Sequence, residues 1–276
     1  MLVAILADFH RNRPRVLALL SLLALQTPAP LDGAPAARSV LVVIADDFGW
    51  SERALMPSLD ELARRGVTFE RAYAWPLCSP TREAVWHGNY PRRTGVGDTV
   101  RAHNGELQAG ESFALAEALA PRMKTALFGK YHLGRAPSQP DVLTSGPTAD
   151  GIEHWFAGTP ESINRPHVNA GYYDWYRVDG GVENPHADVY ATDAQREAFL
   201  GWWGNRPQFA VLAWSAPHAP YDVPPGGTPR TGARANYEQA LEYLDRSMAA
   251  VLATIDWERT LVVFLGDNGT PNDARP

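Results

Sequence analysis

Cysteine is nearly absent from this 276-residue chain: Cys78 stands alone. A single cysteine excludes a disulfide framework within the chain and any Cys-rich zinc site. By default it is a small buried hydrophobe, so any further role must come from its neighbours. Clusters of Lys and Arg are missing too. The formal net charge is −6, from 25 basic and 31 acidic residues. Without a basic face there is no electrostatic footprint for nucleic acid, and an anionic substrate has to be gripped by a local cationic site. Long apolar runs are also lacking. The stretch 16–25 is apolar but too short to cross a bilayer, and no later segment is longer, so no transmembrane span is expected. No internal repeat is visible, and the one biased tract is the Pro/Ala-rich stretch 27–37.

Hydrophobic residues make up 45% of the chain and charged residues 20%. That balance belongs to a folded chain, and the length supports one large domain or two small ones. Arg11, Arg13 and Arg15 precede the apolar run, and Ala34-Pro35-Ala36-Ala37 offers small residues for cleavage. This is the pattern of a secretory leader. We read 1–37 as a signal segment, 38–276 as the catalytic domain, and the protein as exported, periplasmic or secreted.

Residues 39–45 read SVLVVIA and 260–265 read TLVVFL, runs of the type buried on both faces of a sheet. Strand-length apolar runs also occupy 124–128 and 209–214, and 67–73 alternates. Helical spacing marks 57–65, closed by Gly66, and 235–255, where Leu241, Leu244, Met248, Val251, Leu252 and Ile255 share a face. Helices are further expected at 81–86, starting just after Pro80, and at 112–119 with Ser112 as N-cap. The stretch 137–205 is rich in Gly, Pro, His, Trp and Tyr. It reads as loops and irregular insertions until a helical pattern begins at 192. Strands alternating with helices predict an α/β fold with a largely parallel mixed sheet flanked by helices.

In open α/β sheets, ligands bind beyond the carboxyl ends of the strands. The residues after each predicted strand are therefore the candidates. After 39–45 come Asp46 and Asp47; after 124–128 come Gly129, Lys130, Tyr131 and His132. After 209–214 come Pro217 and His218, and after 260–265 come Asp267 and Asn268. One Asp after a strand is ordinary turn chemistry; four strands delivering polar side chains to one edge are not. Asp46, Asp47, Asp267 and Asn268 form an all-oxygen donor set, which hard divalent cations prefer. Among these, Ca2+ tolerates ligands from distant strands better than Mg2+ does.

Leu77-Cys78-Ser79-Pro80-Thr81-Arg82 matches the signature Cys-x-Pro-x-Arg. Here the chain resembles the sulfatases, a family within the alkaline-phosphatase superfamily. Four further blocks resemble the family in the same order: 88–95 (GNYPRRTG), 129–134 (GKYHLG), 216–220 (APHAP) and 266–269 (GDNG). The resemblance implies an alkaline-phosphatase-like fold and a sulfate-ester hydrolase acting on an aryl sulfate or a sulfated carbohydrate. It implies that a maturation enzyme converts Cys78 to formylglycine. It also implies that Asp46, Asp47, Asp267, Asn268 and the modified Cys78 bind Ca2+. Arg82 would hold the nucleophile and the metal-side carboxylates, Lys130 would clamp sulfate, His132 would take a proton, and His218 would sit at the leaving oxygen. The family also has a second lysine after the Asp-Asn block and a smaller C-terminal sheet domain; neither is expected here, and we read the chain as truncated. Other departures are Tyr131 for the usual Trp, Glu83 and His87 in place of small or hydroxyl residues, and Met56 at a helix-cap position. Two alternatives stay open on sequence. One is a formylglycine-dependent phosphonate monoester or phosphodiester hydrolase. The other is a noncatalytic sulfated-glycan binder whose nine tryptophans stack on sugars.

Overall fold

The runs with apolar residues at every position form the centre of one sheet. This computed structural model describes residues 5–7, 38–106 and 113–275. The expected leader lies outside them except for Ile5–Ala7, as does Ser112, the expected N-cap. The strands are β1 (Ile5–Ala7), β2 (Ser39–Ala45), β3 (Gly66–Thr68), β4 (Lys124–Lys130), β5 (His154–Thr159), β6 (Trp175–Asp179), β7 (Val182–Ala187), β8 (Gln208–Trp214) and β9 (Thr260–Gly266). They lie in the order β3-β1-β9-β2-β8-β4-β5-β6-β7. The central run β9-β2-β8-β4-β5 is parallel, and the pairs outside it are antiparallel. The sheet is thus mixed with a parallel core, as expected.

Alternation along β2 shows why its sequence is apolar throughout. Leu41, Val43 and Ala45 enter the core on one face, and Val42 and Ile44 enter the core on the other. A strand with no wet face has no polar positions to alternate. The first face is covered by α1 (Pro57–Arg65), α3 (Ala191–Trp202) and α4 (Ala233–Leu252), through Leu59, Leu62, Phe199, Leu241, Leu244 and Met248. The second face carries Trp86 from α2 (Cys78–His87), with Tyr131, Leu133 and Trp155.

Four expectations need correction. The stretch 137–205 is not loop alone before its helix: β5, β6 and β7 extend the sheet through it. β7 hides from a hydrophobicity pattern because it is an edge strand, exposed along Val182 to His186 and containing Pro185, which only an edge tolerates well. Helix α2 starts at Cys78 rather than after Pro80. A proline in the first turn is accepted because the first N–H groups of a helix have no partner to lose. The alternating stretch 67–73 is strand only to Thr68, and the helix near 112–119 is Leu115–Leu119.

Met56 supplies no side-chain cap for α1. The cap comes from another helix instead. Asp245 of α4 accepts hydrogen bonds from both the backbone N–H of Ser58 (2.9 Å) and its hydroxyl. Capping carboxylates contribute about 1 kcal/mol. Asp245→Ala is therefore expected to lower the free energy of unfolding by about that amount, read from urea midpoints; an unchanged midpoint would show the cap to be idle.

Candidate active site and metal centre

Parallel register brings four strand ends level. Ala45 of β2 pairs with Trp214 of β8 and with Gly266 of β9, and Gly129 of β4 pairs with Ala213 of β8. Residues 46–47, 130–132, 215–218 and 267–268 therefore leave the sheet at one edge. Two of the turns are unusual. Asp47 (φ +65°) and His132 (φ +63°) occupy the left-handed region, which Asp and His enter more readily than bulkier side chains. Gly129 (φ +90°) has to be glycine, since a Cβ there would meet the Ala213 carbonyl oxygen at 2.1 Å.

Helix α2 points its first residue at this edge. Ser79 fixes it there: its hydroxyl donates to the His132 carbonyl (2.7 Å) and accepts the Val100 N–H (3.0 Å). The Cys78 Sγ then lies with carboxylate oxygens of Asp46, Asp47 and Asp267 in a buried group whose ligand atoms are all within 4.8 Å of one another. Asn268 joins by donating to Asp47 Oδ1 (2.5 Å), with its own Oδ1 3.6 Å from Cys78 Sγ. The Asp47 backbone N–H donates to Asp267 Oδ1 at 3.0 Å.

Two buried cations face this acidic cluster. Arg82 donates from Nε and Nη2 to Asp267 Oδ2 (3.1 and 2.9 Å) and from Nη1 to the Lys130 carbonyl (2.8 Å). Lys130 Nζ donates to Asp46 Oδ2 at 2.5 Å and to Ser162 Oγ at 3.3 Å. His218, partly exposed, places Nε2 3.8 Å from Asp47 Oδ2. The Tyr172 hydroxyl holds that loop by donating to the carbonyls of Ser215 (2.8 Å) and His218 (2.9 Å). Tyr237 steadies the opposite turn by donating to the Asp47 carbonyl at 2.8 Å. Neither tyrosine carries a signal in the sequence pattern.

The electrostatics of the cluster fit a hard cation. Three carboxylates share two fixed positive charges, and Asp46 Oδ1 is buried with no hydrogen-bond partner among the described residues. Burial works against ionised Asp46, yet Lys130, His218 and Arg82 outweigh it and hold this carboxyl well below the usual range. Burial and the charge of Asp46 push Asp47 and Asp267 upward. An added cation would relieve this crowding, and oxygen donors on a rigid frame suit a hard divalent ion. Burial also pushes the Cys78 thiol well above its ordinary value. An unmodified Cys78 therefore stays protonated and is a poor nucleophile. His132 is shifted the other way: burial, then the charges of Lys130 and Arg82, keep its imidazole neutral.

The three sequence oddities Glu83, His87 and Tyr131 meet in one buried network. His87 Nδ1 bonds Glu83 Oε2 (2.8 Å) and its Nε2 bonds Asp150 Oδ1 (3.1 Å). The Tyr131 hydroxyl donates to Asp150 Oδ2 at 2.7 Å. Glu83 thus turns away from the anion site. The network ties the last turn of α2 to the residue between Lys130 and His132. Burial alone would depress His87, but Asp150 and Glu83 outweigh it and raise its pKa from 6.5 to about 9. A group raised in the folded state adds stability that is complete below its unfolded pKa and is lost as pH climbs through the folded one. Urea midpoints of the wild type should therefore fall relative to His87→Gln as pH rises from about 6.5 to about 9; parallel profiles would show that the network carries no charge.

The fold, a nine-stranded mixed α/β sheet with an acidic cluster at its carboxyl edge, is shared with solved structures. A solved structure described as a protein of the alkaline phosphatase superfamily from Vibrio parahaemolyticus has TM-score 0.50 and 18% identity, covering 88% of this chain and 56% of its own. The structure of Ps i-CgsB has TM-score 0.71 and 21% identity, covering 87% and 60%. The chain belongs to the sulfatase family, whose model matches residues 38–274. N-acetylgalactosamine-6-sulfatase of Canis lupus familiaris is 30% identical, over 88% of this chain and 52% of that protein. The chain spans about half the length of the curated relatives it matches.

Proposed function

We propose that the chain carries the catalytic portion of a sulfate-ester hydrolase that uses a formylglycine made from Cys78 and a calcium ion. The observation that carries this reading is the placement of the Cys78 Sγ among three buried carboxylates, with Arg82 one helical turn behind it. Family membership supplies the reaction class. Asp46, Asp47, Asp267 and Asn268, with the modified Cys78, would hold the calcium, which would polarise the oxygens bound to it. The Sγ stands where the formylglycine oxygens would be. A formylglycine made from Cys78 would, once hydrated, supply one hydroxyl to displace the alcohol from sulfur and a second to let sulfate leave by elimination, splitting one hard displacement into two easier steps.

The remaining roles follow from the chain's own geometry. Arg82 fixes the orientation of Asp267 and bridges α2 to β4 through the Lys130 carbonyl. Lys130 lies between Asp46 and Ser162, so a sulfate oxygen arriving beside it finds an ammonium group already desolvated and aimed. His132, held neutral with Nδ1 unpartnered among the described residues, is able to accept a proton there. His218 donates from Nδ1 to the Ala219 carbonyl (2.5 Å), which leaves Nε2 on the Asp47 side, where it would sit beside the departing oxygen. We also propose export, on the strength of the apolar run behind three arginines. No helix among the described residues is long and apolar enough to cross a membrane.

The test is to co-produce the chain with a formylglycine-generating maturation enzyme and analyse the Cys78 peptide by mass spectrometry. Turnover of an aryl sulfate and an aryl phosphodiester is then measured side by side. Conversion of the thiol to an aldehyde with preferential sulfate turnover is the expected result. A peptide that keeps its thiol, under conditions that mature a control sulfatase, would overturn the proposal. Preference for the diester would reassign the substrate class.

A further inference from the structure

We infer a second metal site, built from His167, Asp174 and His186, that takes a borderline transition-metal cation such as Zn2+. It is separate from the acidic cluster in position and in chemistry. The three residues come from different segments: the loop around 164–169, the turn before β6, and β7. Asp174 Oδ1 lies 2.9 Å from His186 Nδ1 and 3.8 Å from His167 Nε2. The two imidazole rings are 4.5 Å apart, tilted by 35°. Zinc bonds of about 2.0–2.1 Å arranged tetrahedrally put neighbouring ligand atoms about 3.3–3.4 Å apart. The two distances bracket that edge, so small rotations of exposed side chains complete the geometry.

The frame behind the ligands is fixed. Gly171 and Asp174 exchange backbone hydrogen bonds of 2.9 and 3.3 Å, which closes the turn that presents the carboxylate. Asp222 pins that turn by accepting the Tyr172 N–H at 2.7 Å. Trp175, next to Asp174, pairs with Ala187, next to His186, and the register shifts between Trp175 and Arg177, so both ligands lie at the same irregular end of the hairpin. His186 is further held by its N–H donating to Asn184 Oδ1 at 3.1 Å. His167 reaches the same hairpin through Nε2 and the Pro185 carbonyl, 3.0 Å away. That contact is exchanged for the metal on binding.

Charge and donor type point to the same ligand. Among the described residues, the ion-pair partners of Asp174 are the two histidines; no lysine or arginine neutralises it. Two imidazoles and one carboxylate form a zinc-type set with a fourth position left for water or another oxygen, and calcium has little affinity for imidazole. The side chains are open to entry, at 20% exposure for His167, 49% for Asp174 and 67% for His186. His167 also lines a cavity of about 360 Å³ with Arg165, Asn169, Ala219 and Pro220. Ala219 adjoins His218, so a cation here would tie a loop at the mouth of the cleft to the β6–β7 hairpin.

The experiment uses the Cys78→Ala chain, so that no thiolate competes for zinc, with excess Ca2+ to occupy the oxygen cluster. Zn2+ is titrated by calorimetry, with Co2+ as a spectroscopic probe of imidazole ligation. One equivalent of Zn2+ should bind, and His186→Ala and Asp174→Asn should each weaken binding at least tenfold. Asp47→Ala should leave it unchanged. Both hairpin positions are exposed, so their loss does not threaten folding. Absence of a zinc isotherm, or binding by His186→Ala and Asp174→Asn as tight as in the Cys78→Ala parent, would overturn the inference. Because no turnover is read, failure here is distinct from failure of the sulfatase reading.

Discussion

Cys78→Ala is expected to reduce turnover of an aryl sulfate to background while leaving the chain folded. Loss of a covalent nucleophile in a preorganised site costs on the order of 10⁶ in rate, and nothing else in the cluster can replace it. Asp46, Asp47 and Asp267 are acceptors tied to Lys130, Asn268 and Arg82. Ser79 is turned away, with its hydroxyl committed to His132 and Val100. The structural cost is small because, among the described residues, the sulfur's one contact of this kind is a 3.6 Å approach to Asn268. A second arm sharpens the test. Wild-type chain produced without maturation should be as inactive as Cys78→Ala, since burial keeps its thiol protonated. Residual activity above about one per cent of the matured wild type, against an expected loss near 10⁶, would mean that another group performs the displacement.

Arg82→Met is expected to be the most destabilising substitution at the site. Methionine approximates the length of the arginine stem but removes its donors. Asp267 then loses two N–H donors and the Lys130 carbonyl loses one. All of this occurs where Arg82 and Asp267 are fully buried. Removing one partner of a buried ion pair costs about 3–5 kcal/mol, a large part of the roughly 5–15 kcal/mol that holds a domain together. Arg82→Lys should cost less but not recover fully, because an ammonium group cannot span both Asp267 and the Lys130 carbonyl. Asp267→Asn in the Arg82→Met background should restore part of the loss, since the unpaired charge is gone. Urea denaturation of the four proteins measures each step. An Arg82→Met loss below about 1 kcal/mol, the scale of an exposed pair, would show that the pair is not load-carrying.

What the sequence made legible was the parallel core and the residues at its edge. SVLVVIA and TLVVFL are apolar at every position after the first because both faces are covered, and that property is local. Strand ends then place Asp46, Asp47, Lys130, His132, His218, Asp267 and Asn268 without knowledge of any contact. What stayed hidden depends on distance in the chain. Glu83 and His87 were legible only as departures from small or hydroxyl residues, and nothing near them pointed to Asp150, 63 residues on from His87. The cap of α1 was invisible for the same reason, since Asp245 lies 187 residues from Ser58. The β6–β7 hairpin was missed because an exposed edge strand carries no hydrophobic alternation.

The meeting of Cys78 with Asn268 across 190 residues has a consequence in time. The centre of the sheet, β2, closes only when β8 and β9 exist, so the cleft cannot form until nearly the last described strand has been made. At about 5–20 residues per second of synthesis, Cys78 precedes Asn268 by roughly 10–40 s. During that interval the sulfur has no acidic cluster around it and no sheet edge beneath it. Afterwards it is 6% exposed. Under the proposed maturation, an enzyme modifying this cysteine would work against a clock set by the ribosome, and slower translation between the two residues should raise the modified fraction.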